Sequence, residues 1–506
     1  MDADVIIIGS GAGGGTLART LAASGLSILI LERGDFLPRE WGNWDANTVF
    51  AERRYYTDEQ WRDENGKLFR PGTGYHVGGN TKFYGAAILR RRETDFHARR
   101  HRDGNTPDWP IGYAELSAYY DAAEAWYFAH GADGADPTEP PRNPYPFPAF
   151  PHDPDVAAVA EALRNIGLHP FPLPLALHRL DHDPDRSPCV RCPTCDGFPC
   201  MLHAKGDAEV CGVVPALQYP NVRLLTGHRV RRLQATPDGC SIAHVETDQG
   251  SFSGRVVVLA AGAINSAALM LASADARNVR GLANSSDQVG RNYMCHLNSA
   301  CMALKPAHEN RSVFQKTLAI NDFYEDSGDP EYPYPLGHIQ TLGKISPAIF
   351  HAQRPAWPIP AAAWAASHSV DWWLTTEDLP DKDNRVTLDA DGTIRLHWNP
   401  RNRESHQRLC RKWRFILHKI GFSFVLFQAM DIAATAHQAG TCRFGADPRN
   451  SVLDSGCKAH DLDNLYVVDA SFMPSISAVN PSLTIMANAL RVGAQIVARF
   501  AQGQVT

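Results

Sequence analysis

The first stretch whose residue types and spacing point to chemistry lies near the N-terminus and is rich in glycine. It fits the pattern G-x-G-x-x-G and consists of Gly9, Ser10, Gly11, Ala12, Gly13 and Gly14. Glycines let the backbone turn tightly and approach a pyrophosphate, whose charge is stabilised at a helix N-terminus. Glu32 follows about twenty residues later, where a carboxylate accepts hydrogen bonds from the ribose hydroxyls of an adenosine. These residues predict a site for FAD or NAD, and the acidic residue disfavours NADP.

A second stretch, CVRCPTCDGFPC, contains four cysteines: Cys189, Cys192, Cys195 and Cys200. The spacing approaches a ferredoxin-type run but lacks the ending of that motif. It also lacks the longer loop that separates the paired cysteines of zinc sites. Three interpretations stay open: an iron–sulfur cluster or metal site, a disulfide such as Cys195–Cys200, or four reduced thiols that pack a proline-rich loop. We assign no metal ligands.

The elements that a dinucleotide site requires flank the glycine pattern. Residues 4–8, which are apolar after Asp4, predict a buried parallel strand, residues 16–24 have helical spacing, and residues 27–31 predict a second strand. Residues 256–274 lack charges over nearly the length of a membrane span. The segment GAINS at 262–266 instead predicts a strand, a tight turn and a helix there, so we expect no membrane span.

Two further elements are expected near the C-terminus. Residues 465–468 predict a buried strand that ends at Asp469. Asn480 is expected at the N-cap of a long apolar helix, with Pro481 at its first position. The N-terminus of such a helix favours negative charge on a ligand.

Length and composition limit the class of protein. A chain of 506 residues predicts two to four domains or one large interleaved pair. The net charge of −6 argues against a nucleic-acid partner, and we expect the basic segments at 89–93 and 97–103 to form a solvated face. Strand-like residues begin at position 4, which leaves no room for a signal peptide, so we expect a cytoplasmic protein with mostly reduced thiols.

Several motifs occur in one order along the chain, and together they resemble the glucose–methanol–choline (GMC) family of FAD oxidoreductases. The resemblance covers nearly the whole chain and is closest in pattern to the pyranose-oxidase and sugar-dehydrogenase branch. Its motifs are GSGAGGG, HVGGNTKFYGAAILRR (76–91), GAINSAALMLAS (262–273), VGRNYMCH (289–296), NRVTL (384–388), HQAGTC (437–442), VVDASFMP (467–474) and VNPSLTIMANALR (479–491).

The resemblance implies the residues that carry the reaction. His437 matches the active-site histidine of the family, and Asn480 matches the second active-site residue. An imidazole suits removal of a hydroxyl proton, and an amide beside it holds the oxygen so that the carbinol hydride points at flavin N5. The flavin supplies the redox chemistry.

The resemblance also implies the cofactor contacts. Asp469 matches an acidic residue near the ribityl-phosphate region, Val230 a valine whose backbone contacts the adenine, and Pro481 and Ser482 backbone contacts to the pyrimidine ring. The rest of the expected set comprises Gly78, Gly79 and Asn80, which match the loop over the isoalloxazine, together with Arg33, Ala261 and Ala470. In some sugar oxidases a histidine after the paired glycines bonds covalently to the flavin; Phe83 or Lys82 stands there in this chain, although His76 is close in sequence. The resemblance therefore implies non-covalent FAD.

The expected function is FAD-dependent oxidation of an alcohol, with a sugar or glycoside favoured and the electrons passing to O2 or another acceptor. One alternative is an FAD-containing lyase that breaks a cyanohydrin without redox chemistry and uses His437 as base. Another is a nicotinamide dehydrogenase built on the N-terminal pattern, against which the C-terminal motifs argue.

The expected fold is α/β. A Rossmann-like FAD-binding domain with a parallel sheet is interleaved with a substrate domain built on an antiparallel sheet backed by helices. We predict the FAD-binding domain at 1–95, 205–297 and 441–506. A substrate or cap region with the proline-rich arm and the cysteines is predicted at 96–204, and the substrate-binding domain at 298–440.

Overall fold

The computed structural model describes residues 1–180, 183–354, 356–434 and 437–505. The helices are α1 Ala12–Ala22, α2 Tyr113–Trp126, α3 Pro154–Asn165, α4 Val214–Ala216, α5 Ala263–Ala272, α6 Pro347–Gln353, α7 Ile359–Ser367, α8 Arg403–Lys419 and α9 Ser482–Ala501. The strands are β1 Ala3–Ile8, β2 Ile28–Leu31, β3 Trp61–Asp63, β4 Leu68–Phe69, β5 Arg99–His101, β6 Gly104–Thr106, β7 Ala129–Gly131, β8 Phe147–Pro148, β9 Phe171–Pro172, β10 Leu175–Ala176, β11 Val222–Leu225, β12 Val230–Ala235, β13 Ile242–Thr247, β14 Gly250–Phe252, β15 Gly254–Leu259, β16 Met294–Cys295, β17 Leu297–Leu304, β18 Leu318–Ile320, β19 His338–Thr341, β20 Ser369–Thr376, β21 Arg385–Leu388, β22 Ile394–His397, β23 Phe424–Ala429, β24 Gln438–Ala439 and β25 Leu465–Val467.

The nucleotide-binding half is built on a five-stranded parallel sheet in the order β11–β2–β1–β15–β25. The central strands are almost wholly buried and consist mainly of valine, isoleucine and leucine, which suits strands covered on both faces. Helix α1 follows β1 and packs against α9. The predicted Rossmann-like sheet is confirmed, and its first helix begins at Ala12, earlier than expected.

The other half is built on a six-stranded antiparallel sheet in the order β23–β17–β20–β19–β18–β9. Helix α8 covers one face of this sheet and contributes Leu409, Trp413 and Leu417 to a core that includes Trp372. The rings of Trp372 and Trp413 lie edge to face, with centroids 4.8 Å apart. An antiparallel sheet backed by helices is therefore confirmed.

The two sheets draw on alternating parts of the chain. The parallel sheet takes strands from 3–31, 222–259 and 465–467, whereas the antiparallel sheet takes strands from 171–172 and 297–429. The chain passes repeatedly between the halves, so residues that are distant in sequence meet where the sheets face each other.

The uncharged segment at 256–274 is the strand β15 followed by a turn and α5, as its sequence predicts. No helix within the described ranges is long and apolar enough to cross a membrane.

The expected solvated face at 89–93 is wrong. Arg90 is buried and pairs with Glu124 at 2.6 Å, and Arg92 is buried and pairs with Asp136. These acidic partners come from α2 and from the segment after it, and their charges compensate the buried guanidinium groups. A run of arginines does not reveal such partners, which lie about 30 to 45 residues away along the chain.

Candidate active site

A cavity of about 1030 Å³ lies between the two large sheets. One side is the carboxyl edge of the parallel sheet, where Glu32 follows β2, Ala261 follows β15 and Asp469 follows β25. Ligands of open α/β sheets bind at this edge. The other side is a row of register neighbours across the antiparallel sheet: Gln340, Trp373, Ala300 and Gln428.

The glycine-rich loop forms the floor of the cavity with five residues: Gly9, Ser10, Gly11, Ala12 and Gly13. A Cβ at Gly13 would lie 2.2 Å from the carbonyl oxygen of Val468, so only glycine allows α1 to approach the end of β25 this closely. A Cβ at Gly11 would meet only the Cα of Gly79, at 3.9 Å. The space above Gly11, at the N-terminus of α1, is therefore open to a ligand.

Glu32 is buried beside this loop. Oε2 of Glu32 accepts two hydrogen bonds from Ser10, one from the backbone N–H at 3.0 Å and one from the side-chain hydroxyl at 2.6 Å. The same hydroxyl accepts from the N–H of Gly78 at 3.1 Å. Gly78 and Gly14 pack behind the residues that line the cavity, and a Cβ at Gly14 would lie 2.0 Å from the carbonyl oxygen of Gly9. Through Ser10, Glu32 thus fixes the glycine-rich loop relative to the loop that contains Gly78.

The remaining predicted cofactor residues surround the same cavity. Arg33 lies over the ring of Tyr75, with its guanidinium carbon 3.5 Å from the ring centroid. Asn80 Oδ1 accepts from the N–H of Gly74 at 3.1 Å. The predicted residues that line the cavity here are Arg33, Gly79, Asn80, Val230, Ala261, Asp469, Ala470, Pro481 and Ser482. The structure brings together residues that span almost the whole chain.

Asp469 joins the ends of two neighbouring strands. Its Oδ2 accepts from the N–H of Gly262 at 3.0 Å and from the hydroxyl of Ser266, and its Oδ1 accepts from the N–H of Ser471 at 3.0 Å. Burial raises the pKa of Asp469 above its ordinary value, although these hydrogen bonds oppose the shift. The carboxyl group therefore holds the turn before α5 against the end of β25.

His437 stands at the end of a short hydrogen-bonded chain. Its Nδ1 lies 2.9 Å from Nδ1 of His296, and Nε2 of His296 lies 2.7 Å from the carbonyl oxygen of Ser477. Since a carbonyl only accepts, Nε2 of neutral His296 carries the proton and its Nδ1 is the acceptor. His437 must then donate from Nδ1, which leaves a lone pair on its Nε2.

That lone pair is available at neutral pH. Burial lowers the pKa of His437 to about 4, and the nearby charge of Lys316 adds to this effect. His437 lines the cavity and is half-buried there. The geometry therefore supplies a neutral imidazole whose Nε2 accepts a proton.

Asn480 lies next to that nitrogen, with its Nδ2 3.5 Å from Nε2 of His437. Its Oδ1 is buried and has no hydrogen-bond partner among the described residues. The prediction that Asn480 caps α9 is wrong, because Pro481 occupies the N-cap and the helix begins at Ser482. The asparagine amide faces the cavity because it is not used as a cap.

Comparison with known proteins identifies the family. The models described as GMC oxidoreductase match residues 3–298 and 380–489, which together make up most of the chain. The chain belongs to the GMC oxidoreductase family. The GMC chain is 32% identical to paromamine 6'-oxidase of Streptomyces fradiae, over 96% of this chain and 90% of that protein. It is 31% identical to 6'''-hydroxyparomomycin C oxidase of Streptomyces lividus, over 98% of this chain and 92% of that protein.

The fold of this GMC protein is also that of a solved structure. Pyridoxine 4-oxidase from Mesorbium loti superposes with a TM-score of 0.70 at 21% identity, over 97% of this chain and 98% of that chain. The predicted family, fold and class are thus confirmed: the protein is an FAD-dependent oxidoreductase that acts on alcohols. The lyase alternative is not favoured, since the named relatives are oxidases.

The cavity of the GMC protein fits FAD by its own geometry. It is long enough to join the open space above Gly11 with the N-terminus of α9, near His437. The first hydrogen bond within α9 runs from Ile485 N–H to the carbonyl oxygen of Pro481, so the earlier N–H groups of the helix lack an acceptor in the helix. Orphan donors of this kind suit the electron-rich edge of a flavin ring.

One of the two residues proposed for the covalent-link position of related sugar oxidases points away from the cavity. Lys82 is buried and donates to Asp207 at 2.9 Å and to Glu209 at 2.6 Å. Phe83 lines the cavity, as does His76, whose Nε2 lies 2.9 Å from the carbonyl oxygen of Tyr55. Phe83, an unreactive side chain, therefore occupies this position in the site.

Three residues of the site were missed by sequence reasoning. His296 is the last residue of the motif VGRNYMCH, but nothing in a single sequence distinguishes it from a core histidine. Lys316 lies in a segment without a motif, and Asp196 lies in the cysteine-rich stretch, where only the cysteines draw attention; both residues line the cavity. Only the fold shows that His296 contacts His437 and that Lys316 and Asp196 line the same cavity.

The four neighbouring cysteines are free thiols, and none forms a disulfide. Within the described part of the chain, no group of three or more histidine, cysteine or acidic residues is arranged to hold a metal ion. Burial raises the pKa of Cys189 to about 11, which makes that thiol unreactive. What the segment contributes to the site is Asp196 and Gly197, which line the cavity.

Proposed function

We propose that the protein oxidises a hydroxyl group of a sugar or glycoside, with His437 as the base. The observation that carries the proposal is the lone pair on His437 Nε2. It is oriented by the hydrogen bond from His437 to His296, whose own proton is donated to the carbonyl oxygen of Ser477. When bound, FAD supplies the hydride acceptor for the reaction. The names of the two Streptomyces relatives, a paromamine oxidase and a hydroxyparomomycin oxidase, support a glycoside as substrate.

His437 and Asn480 act on the same oxygen in this proposal. Nε2 of His437 takes the hydroxyl proton, and Nδ2 of Asn480 donates a hydrogen bond that holds the oxygen as its negative charge grows. The ring of His437 is fixed by its hydrogen bond to His296 before the substrate arrives, so little reorganisation of the imidazole opposes the proton transfer. Removal of such an acid–base group typically costs about 10² to 10⁴ in rate.

The predicted cofactor residues are proposed to hold FAD along the cavity. Glu32 would receive the adenosine ribose, the backbone above Gly11 the pyrophosphate, and the start of α9 at Pro481 and Ser482 the pyrimidine ring. FAD is held non-covalently, since Phe83 rather than a histidine faces the cavity at the expected position. O2 or another acceptor takes the electrons, and free cysteines throughout the described chain support a cytoplasmic location.

An anaerobic absorbance spectrum of the purified protein tests this proposal. A panel of methyl glycosides, free sugars and simple alcohols is added under anaerobic conditions, and the flavin band is followed. We expect a flavin spectrum that bleaches with at least one glycoside bearing a free hydroxymethyl group. If the protein carries flavin but no compound of the panel bleaches the flavin band, the proposed substrate class is contradicted.

A further inference from the structure

An ion pair faces the cavity on the side of the antiparallel sheet. Nζ of Lys316 lies 2.7 Å from Oδ2 of Asp196, and both side chains line the cavity that holds His437. The side chains are 4% and 15% exposed, so the pair lies inside the protein and borders the cavity. Burial raises the pKa of Asp196, but the Lys316 ammonium, the N–H of Gly343 and the charge of Lys205 together outweigh burial, so the pKa lies below its ordinary value. The carboxyl group is therefore charged.

Two glycines make room for this pair. A Cβ at Gly85 would lie 1.8 Å from Nζ of Lys316 and 2.1 Å from Oδ1 of Asp196. A Cβ at Gly343 would lie 2.8 Å from Cβ of Asp196, and the N–H of Gly343 donates to Oδ2 of Asp196 at 3.2 Å. The backbone on two sides of the pair thus lacks the atoms that would displace it.

A second buried lysine fixes the segment that carries Asp196. Nζ of Lys205 donates to the carbonyl oxygens of Tyr84 at 2.8 Å, Cys195 at 2.8 Å and Phe198 at 2.7 Å. Lys205 is 1% exposed. Its ammonium ties the cysteine-rich segment to the residue before Gly85, so Asp196 is held in place from both ends.

The pair keeps hydrogen-bonding capacity for a ligand. Lys316 has three N–H donors, and Asp196 is the one acceptor that it meets among the described residues. Oδ2 of Asp196 accepts from Lys316 and Gly343, whereas Oδ1 receives no hydrogen bond within the described ranges. One cationic donor and one anionic acceptor therefore stand side by side at the cavity wall.

We propose that the Lys316–Asp196 pair binds two neighbouring hydroxyl groups of the substrate, separate from the hydroxyl that reacts at His437. The oxygen of one hydroxyl accepts from Lys316, and the proton of the other is donated to Oδ1 of Asp196. Such a vicinal diol is matched to a site with one donor and one acceptor. The inference rests on the proposed function, and it makes these two residues the determinants of specificity for polyols over simple alcohols.

The charge of Lys316 favours a neutral diol over an amino group at this pair. An ammonium group placed at Asp196 would lie beside the Lys316 ammonium, which is 2.7 Å from Oδ2 of Asp196 and repels it.

Two alcohols of similar ring size test the proposal on the FAD-loaded protein. Methyl α-D-glucopyranoside carries a hydroxymethyl group and vicinal ring hydroxyls, whereas cyclohexylmethanol carries the hydroxymethyl group alone. Anaerobic flavin reduction gives the limiting rate and the apparent Kd for each. Hydrogen bonds to charged groups are typically worth about 10- to 100-fold in affinity. We expect Lys316→Met to raise the apparent Kd of the glycoside by at least about 10-fold and to change the apparent Kd of cyclohexylmethanol by less than about twofold.

Lys316→Met leaves the charge of Asp196 unpaired, which could itself disturb the cavity. Two other variants therefore disrupt the pair without leaving an unpaired charge. Gly85→Ala leaves both charges in place and displaces them sterically, and it should lower glycoside affinity in the same way. The double variant Lys316→Met with Asp196→Leu removes the pair without leaving one charge unpaired. Lys305→Met, in the same half of the protein but outside the cavity lining, is the matched control and should leave both alcohols unaffected.

An unchanged ratio of glycoside to cyclohexylmethanol affinity in all three variants would overturn the inference. So would a wild-type preference for methyl 2-amino-2-deoxy-α-D-glucopyranoside over the parent glycoside that disappears in Asp196→Asn, because the acidic group would then recognise an amine. Binding is also measured without turnover, by the perturbation of the flavin spectrum. Glycoside binding that depends on Lys316 supports the inference even if no alcohol bleaches the flavin, in which case the proposed function alone fails.

Discussion

The Nδ1 atoms of His296 and His437 lie 2.9 Å apart, and the two rings are nearly perpendicular, at 84°. His437 and Ser477, at the two ends of this chain of hydrogen bonds, both adopt positive φ, of 62° and 58°. Non-glycine residues rarely take this conformation, and it is found where surrounding contacts impose it. Glu377 supplies one such contact, since its Oε1 accepts from the N–H of Ser477 at 2.6 Å. The backbone is thus held in the form that fixes the tautomer of His437.

Replacing His296 should impair the reaction without releasing FAD. His296→Leu removes the acceptor for Nδ1–H of His437, so the lone pair of Nε2 is no longer fixed. Loss of a tautomer-setting partner costs up to about 10⁴ in rate in other enzymes, and we expect flavin reduction to slow by at least about 10-fold. His296→Asn, which keeps an acceptor, should recover part of that loss. His406→Asn, at another buried histidine, is the control, and equal rates in all variants would contradict the positioning role.

Removing the base itself should have a larger effect. His437→Ala should retain bound FAD and slow flavin reduction by at least about 10², because the hydroxyl proton loses its acceptor. Stopped-flow measurement of anaerobic flavin bleaching gives this rate directly. A variant that reduced its flavin at the wild-type rate would show that His437 is not the base.

Asn480 is expected to act through its amide donor. Asn480→Ala should slow flavin reduction by about 10² or more, as does removal of one donor to a developing oxyanion. Asn480→Asp places a carboxylate near Nε2 of His437, which favours the protonated imidazole. The acid limb of the pH–rate profile should therefore move to higher pH in Asn480→Asp. An unmoved limb would mean that residue 480 does not face the titrating histidine.

Close packing at the glycine-rich loop should be needed for FAD retention. Gly13→Ala brings a Cβ to 2.2 Å from the carbonyl oxygen of Val468, so α1 must shift away from β25. Gly112→Ala is the matched control, since a Cβ there meets no atom within 4 Å. We expect the first variant to be purified with little flavin and the second with the wild-type amount. The ratio of flavin to protein absorbance measures this.

Local patterns explain which parts of this structure could be predicted. The strand, glycine turn, helix and acidic residue from Asp4 to Glu32 are encoded in consecutive residues, so the nucleotide half was predicted closely. Lys316 and Asp196 lie 120 residues apart and meet only because Lys205 fixes one segment and the sheet fixes the other. A linear pattern cannot show such a contact, and the proposed domain boundaries stay a prediction for the same reason.

Position 480 shows a different limit of prediction. Asparagine followed by proline is a common helix start, and the pattern placed Asn480 at the cap. The helix begins one residue later, because Pro481 itself takes the N-cap and the asparagine side chain is turned to His437. A local preference was outweighed by the tertiary contacts of the site.

The buried histidines should make the protein sensitive to acid. Burial lowers the pKa of His406 to about 4, so its stabilising contribution is complete above its ordinary value of 6.5 and is lost as the pH falls through 4. His338 and His437 behave alike, with pKa values lowered to about 4. Glu377 has the opposite pH dependence: burial raises its pKa to about 7, so its contribution to stability is complete below pH 4.5 and is lost as the pH rises through 7.

The variant His406→Asn tests the contribution of one of these histidines. Between pH 7 and pH 4.5 its free energy of unfolding should fall by about 2 kcal/mol less than that of the wild type, measured by denaturant unfolding. An equal loss of unfolding free energy in the two proteins would show that the pKa of His406 is not lowered in the folded protein.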